Sequence, residues 1–266
     1  GVFHWDTACS YNLGSGNSER VLGRYFEARP RSVSEQVVIA TKIHNPVRDE
    51  HAMSADFTPN QLGASRSYIR FGVDKCLERM KTDYIDVMQM HNPSVLDCNN
   101  GNLVDCLEKM REQGKVRWIG VSTTLPDLPE FIKWGVFDVF QIPYSALERD
   151  HEEWITSAAE SGIGIVLRGG LALGEPGVGT GQEEKWNKFE EAGLDDFRSE
   201  HESRSAFLLR YTLTHPNTDT IIVGTTNLEH FDDNIIAIKR GPLDDNIYRD
   251  VKQRMDCVGE KPKLVV

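Results

Sequence analysis

Strand-like and helix-like segments alternate along this 266-residue chain from one end to the other. No other feature limits its possible folds as much. Extended apolar runs fall at residues 2–7, 37–41, 84–90, 116–121, 139–142, 164–167 and 220–223. Helix patterns fall at 18–27, 65–79, 103–112, 127–133, 151–160, 203–214, 228–238 and 243–255. In the second of these, Ile69, Val73, Cys76, Leu77 and Met80 recur at three- and four-residue spacing, the stripe of a helix with one buried face. Gly114 and Gly162 follow two of the helices, as glycine does at a helix stop. A repeating βα pattern implies a parallel sheet. An open doubly wound sheet usually carries a glycine-rich turn after its first strand, and none follows residues 2–7. A (β/α)8 barrel needs about 250 residues, so residues 1–266 are read as one barrel domain. Seven strands are counted where eight close a barrel. One βα unit is therefore expected to be missing before Gly1.

The ends of the strands carry the chemistry. The first runs into Asp6-Thr7-Ala8-Cys9-Ser10-Tyr11, the second into Lys42 and the third into His91. In a barrel of parallel strands the carboxyl ends share one mouth, where catalytic groups collect. Asp6, Tyr11, Lys42 and His91 would then meet in one place, as a group able to pass a proton to a carbonyl oxygen.

Composition removes other classes. With 30 basic and 41 acidic side chains the net charge is −11, and no Lys/Arg cluster appears, which argues against a nucleic-acid partner. Five cysteines without a C-x-x-C pair suit free thiols in a reducing compartment, and a cytoplasmic location is expected. The eight histidines show no ligand spacing, so no metal site is expected. No apolar run reaches the ~18 residues of a membrane span. The stretch 174–197, rich in Gly, Glu and Lys, reads as a long lid or binding loop. Trp186 within it would either cover a ligand or pack its own loop, and the second is favoured.

Longer motifs add a family. Asp6 to Tyr11 with Gly16, Ser18, Glu19, Leu22 and Gly23 resembles the first signature of the aldo-keto reductases. Leu77 to Asp86, followed by His91-Asn92-Pro93, resembles the second. Gly114 to Ser122, Asp138 to Tyr144, and Ile221 to Thr225 with Glu229 and Asn234 resemble later segments, in the same order. The resemblance covers essentially the whole chain. It implies a (β/α)8 barrel lacking the family's N-terminal hairpin, first strand and first helix.

It also implies an oxidoreductase reducing an aldehyde or ketone with NADPH, or with NAD as the alternative dinucleotide. An unassisted phenol holds its proton too tightly for easy transfer near neutrality, and an adjacent ammonium stabilises the phenolate. Tyr11 is thus the expected acid and Lys42 its partner. Asp6 would hold Lys42, and His91 would donate to the substrate oxygen. By resemblance, Ser122, Thr123 and Gln141 would meet the nicotinamide carboxamide, although the family's usual Asn after the Ser is Thr123 here. Arg168 would lie against the nicotinamide ring. Gly224 and Thr225 would sit at the phosphates, Asn234 at the adenine with Glu229 close by, and His230 near the ribose 2′-phosphate. Gly224 and His230 stand where many members carry Lys and Arg. The rival expectation is a non-catalytic nicotinamide-binding regulatory or sensor protein on the same barrel.

Overall fold

The computed structural model describes residues 2–11, 15–44 and 65–265. Among these, seven strands follow one another in chain order, from β1 to β7. They are β1 (His4–Asp6), β2 (Val38–Ile43), β3 (Ile85–His91), β4 (Val116–Ser122), β5 (Val139–Pro143), β6 (Gly164–Arg168) and β7 (Thr220–Ile221). The helices are α1 (Asn17–Glu27), α2 (Arg66–Met80), α3 (Val95–Gly101), α4 (Leu103–Glu112), α5 (Leu128–Trp134), α6 (Glu152–Glu160), α7 (Glu183–Glu191), α8 (Arg204–Thr214), α9 (Leu228–Arg240) and α10 (Asp245–Cys257). This order and alternation are those of a (β/α)8 barrel. No helix among the described residues is long and apolar enough to cross a membrane.

The chain forms two compact units, residues 1–140 and 141–266. In the first, β1 to β4 pair in parallel. Five of the six residues of β2 are buried, as in a parallel strand covered on both faces. The register sets Lys42 beside Gln89, and His91 beside Ser122. Ser65 caps α2 by accepting from the Tyr68 N–H at 3.2 Å, and α4 ends before Gly114, whose φ is 74°.

Helix α1 packs tightly against the end of α2. A Cβ at Gly23 would lie 2.0 Å from the Arg79 carbonyl oxygen. Next to this contact the buried Glu19 carboxylate accepts from Arg79 Nε at 2.6 Å and from the Thr41 hydroxyl at 2.6 Å. Gly23→Ala is therefore expected to force the two helices apart and cost about 1–3 kcal/mol, as overpacking does. Chemical denaturation measures this, and an unchanged midpoint would show that the backbone gives way freely.

In the second unit β6 and β7 pair in parallel, and Ala206 and Leu209 of α8 pack with Ala237 of α9. The buried Arg149 donates to Glu152 and Asp256, each at 2.7 Å, and so fastens α10. The hydroxyl of Tyr144 meets those of Tyr248 at 2.8 Å and Tyr211 at 3.2 Å.

Two expectations are corrected. Residues 174–197 are not one loop: α7 and a 3₁₀ turn at Leu194–Phe197 lie within them. Four acidic residues in nine hide its apolar pair, Trp186 and Phe189, three residues apart on the buried face. The Trp186 ring packs on Phe189 at 5.6 Å and its N–H donates to the Ala172 carbonyl at 3.3 Å, so this tryptophan serves its own segment. Helix α3 is also additional. It is short and has no apolar period, and a capping box of Ser94 and Asp97 starts it.

Burial holds the imidazoles of His4, His44, His151 and His215 below the ordinary value of 6.5. The unfolded chain thus takes up protons near pH 6.5 that the folded chain refuses until the pH is lower. Stability should fall as acid passes through that window. The urea midpoint is expected to be lower at about pH 5.5 than at about pH 7.5, and flat just above that. A midpoint rising with acid over this range would contradict the sign.

Candidate active site

Three of the expected residues meet directly in the first unit. Asp6 ends β1, Lys42 lies in β2 and Tyr11 follows the turn after β1. The Lys42 side chain is 1% exposed and that of Asp6 7%. The ammonium donates to Asp6 Oδ1, to the Thr7 carbonyl at 3.0 Å and to the Tyr11 hydroxyl at 3.0 Å. All three of its N–H donors are thereby used. The Tyr11 hydroxyl donates to Asp6 Oδ1 at a long 3.4 Å. With 37% of its surface exposed, Tyr11 is open to a small molecule.

His91, at the end of β3, stands edge-on to Tyr11 with ring centroids 6.0 Å apart. Its Nδ1 is 3.1 Å from the Ser10 hydroxyl. Ser122 and Thr123 are buried at the end of β4. Ser122 Oγ donates to Asn92 Oδ1 at 3.4 Å, and its carbonyl accepts from the Asn92 N–H at 2.9 Å.

Sequence reasoning missed two neighbours. Gln89 donates to Asp6 Oδ2 at 3.3 Å, fixing the carboxylate oxygen that Lys42 does not hold. Period two along β3 puts it on the face of His91, a signal that was available. His44 is buried, with φ of 113°, a backbone conformation costly for any residue with a Cβ. Its Nε2 is 3.7 Å from Asp97, and no sequence pattern announces it.

The second unit holds a cavity of about 830 Å³, within the roughly 300–1,000 Å³ of small-molecule sites. Among its walls are Gly169 and Gly170 after β6, Ile222 to Asn227 after β7, and His230, Asp233 and Asn234 of α9. Of the expected cofactor residues, Gly224, Thr225, His230 and Asn234 are brought together here. Arg168 ends β6 just before Gly169 but is not in the wall. Gln141 is buried in β5, and Glu229 is exposed in the first turn of α9.

Local structure explains the shape of the wall. The Asn227 side chain caps α9 by accepting from the Glu229 N–H at 2.9 Å, and Thr225 Oγ1 accepts from the Asn227 N–H at 3.1 Å. A Cβ at Gly224 would meet nothing within 4 Å, so the wall there is open backbone. Asn234 is 5% exposed, and its amide has no hydrogen bond among the described residues. An amide without a partner at a cavity wall suits a polar ligand edge.

The model of the aldo/keto reductase family matches residues 1–255. The uncharacterized oxidoreductase YqkF of Bacillus subtilis is 26% identical over 251 residues, which is 89% of this chain and 78% of that protein. The NADH-specific methylglyoxal reductase of Escherichia coli is 32% identical over 175 residues, 64% of this chain. The chain spans about half, 52%, of that relative's length. The holo form of an aldo-keto reductase from Bacillus halodurans superposes with a TM-score of 0.79 at 24% identity. That superposition covers 96% of this chain and 83% of the other, and it shows the fold.

Proposed function

The chain belongs to the aldo/keto reductase family, and we propose that it reduces an aldehyde or ketone to an alcohol, with Tyr11 as general acid and a nicotinamide dinucleotide as partner. What supports this reading above all is the Lys42 ammonium, buried against Asp6 and 3.0 Å from the Tyr11 hydroxyl.

The dinucleotide, when bound, supplies the hydride. The protein's own task is to hold the carbonyl and protonate its oxygen as charge develops there. Tyr11 gives up its hydroxyl proton to that oxygen. Lys42 stabilises the phenolate left behind, and Asp6 keeps Lys42 in place. Gln89 orients the second oxygen of Asp6. His91 donates to the substrate oxygen and fixes its direction, with Ser10 setting the position of the imidazole.

The second unit would hold the dinucleotide. Backbone N–H groups at the start of α9 suit its phosphates, beside the open wall at Gly224 and Thr225. Asn234 would meet the adenine, with His230 and Glu229 near the ribose. By the resemblance, Gln141 would take the carboxamide and Arg168 the ring face. The family resemblance favours NADPH. One relative's name gives NADH, and the choice turns on charge at the ribose 2′-position.

A fluorescence titration with dinucleotide, followed by turnover of an aromatic aldehyde, tests the proposal. Saturable binding with loss of nicotinamide absorbance supports it. Saturable binding with no turnover of any carbonyl in a broad panel would replace it with a non-catalytic sensor.

A further inference from the structure

We infer that Cys9 and Cys76 form an oxidation site, at which a peroxide closes a disulfide that displaces the turn carrying Tyr11. The cross-link is independent of the reading of Tyr11 as the acid, and its effect on turnover rests on that reading.

The mechanism uses neither thiol. Cys9 lies in the turn between Asp6 and Tyr11 and is 1% exposed, and Cys76 lies on the buried face of α2. A chain of contacts joins the two places. The Gly16 N–H donates to the Cys9 carbonyl at 3.0 Å. A Cβ at Gly16 would lie 2.8 Å from Arg79 Cδ. Arg79, one turn of α2 beyond Cys76, donates through Nη2 to Cys76 Sγ at 3.3 Å. The two thiols themselves share a hydrogen bond. From that contact a small rotation of the side chains reaches the ~2.05 Å of a disulfide.

The two cysteines have different parts. The hydrogen bond to Cys9, together with burial, pushes the Cys76 thiol well above its ordinary value. The thiolate is the nucleophile, so Cys9 attacks first. Its sulfur gives up a proton and takes one oxygen of the peroxide. The O–O bond breaks, and the other oxygen leaves as hydroxide and gains a proton to become water. Cys9 is then a sulfenic acid. Cys76 next gives up its proton and attacks the Cys9 sulfur. The S–S bond forms, the S–O bond breaks and a second water leaves. The two thiols lose two electrons and the peroxide gains them. The Arg79 guanidinium beside Cys76 favours the thiolate of this second step.

Closing the bond draws Cys9 towards α2. Its N–H now donates to the Lys42 carbonyl at 3.4 Å, and Ser10 and Tyr11 follow it directly. A displacement of about 1 Å in the Tyr11 hydroxyl, which lies 3.0 Å from Lys42 Nζ, costs on the order of a hundredfold in rate.

The test is treatment of the full chain with hydrogen peroxide, then digestion without reductant and mass spectrometry, beside turnover of an aromatic aldehyde. A fragment joining Cys9 to Cys76, two hydrogens lighter than its separate peptides, is expected. Turnover should fall about a hundredfold and return with dithiothreitol. Cys76→Ser retains an acceptor for Arg79. It should keep its basal turnover and lose the fall that dithiothreitol reverses. The exposed Cys257 reports that peroxide reached the chain. Oxidised Cys257 with Cys9 and Cys76 unjoined overturns the site. A joined pair with unchanged turnover overturns its hold on the active site. A chain that reduces no carbonyl before oxidation contradicts the reading of Tyr11, and the cross-linked fragment alone then decides the oxidation site. If Cys76→Ser does not fold, Cys9→Ala serves in its place and should likewise lose the reversible fall.

Discussion

Tyr11→Phe is expected to lower carbonyl reduction by about a hundredfold to ten-thousandfold, the range lost with a positioned general acid. The loss should fall on kcat, because the hydroxyl acts on charge that develops only as the bond forms. The exchange removes one oxygen from a side chain that is 37% exposed and keeps the ring that stands edge-on to His91. The fold therefore has little to lose, and dinucleotide affinity should stay within about twofold of the unaltered chain. Steady-state kinetics beside a fluorescence titration give both numbers. Retained turnover would remove Tyr11 as the acid. Lost turnover with lost binding would instead show a wider structural effect.

Lys42→Met is expected to damage both stability and rate. It removes a 1%-exposed ammonium and leaves the Asp6 carboxylate, 7% exposed, facing a methyl group. Gln89 at 3.3 Å and the Tyr11 hydroxyl at 3.4 Å still donate to it. Breaking a buried pair from one side costs about 3–5 kcal/mol, because the other charge stays behind. Urea unfolding reads that cost directly. Pairing Lys42→Met with Asp6→Leu removes both charges, and this double variant should regain much of the lost stability. It should regain none of the rate, since no ammonium then stabilises the phenolate. A double variant as unstable as the single one would mean that the site depends on contacts other than this ion pair. A fully active single variant would mean that Lys42 holds the fold and takes no part in the chemistry.

The strand ends were the legible part of this chain. Asp6, Lys42 and His91 each close an apolar run, and such residues in that position have few structural explanations. The alternation of segments foretold the order of the strands, because apolar period and glycine stops are local signals. What stayed hidden depends on partners far away in sequence. Gln89 is one amide in a strand until Asp6, 83 residues earlier, accepts from it. Asp233 reads as one more acid on a solvated helix face until Ser203 orients it. Helix α7 was missed because its charges outnumber the two aromatics that bury it. His44 gives no local sign at all: its φ of 113° follows from how β2 ends.

The most direct test of the central claim is product stoichiometry. An aromatic aldehyde is mixed with reduced dinucleotide and the protein, and the alcohol formed is counted against the dinucleotide oxidised. The account predicts one alcohol for each dinucleotide, at a rate proportional to the protein and collapsing in Tyr11→Phe. Saturable dinucleotide binding with no alcohol formed, from any aldehyde or ketone in a broad panel, would contradict it.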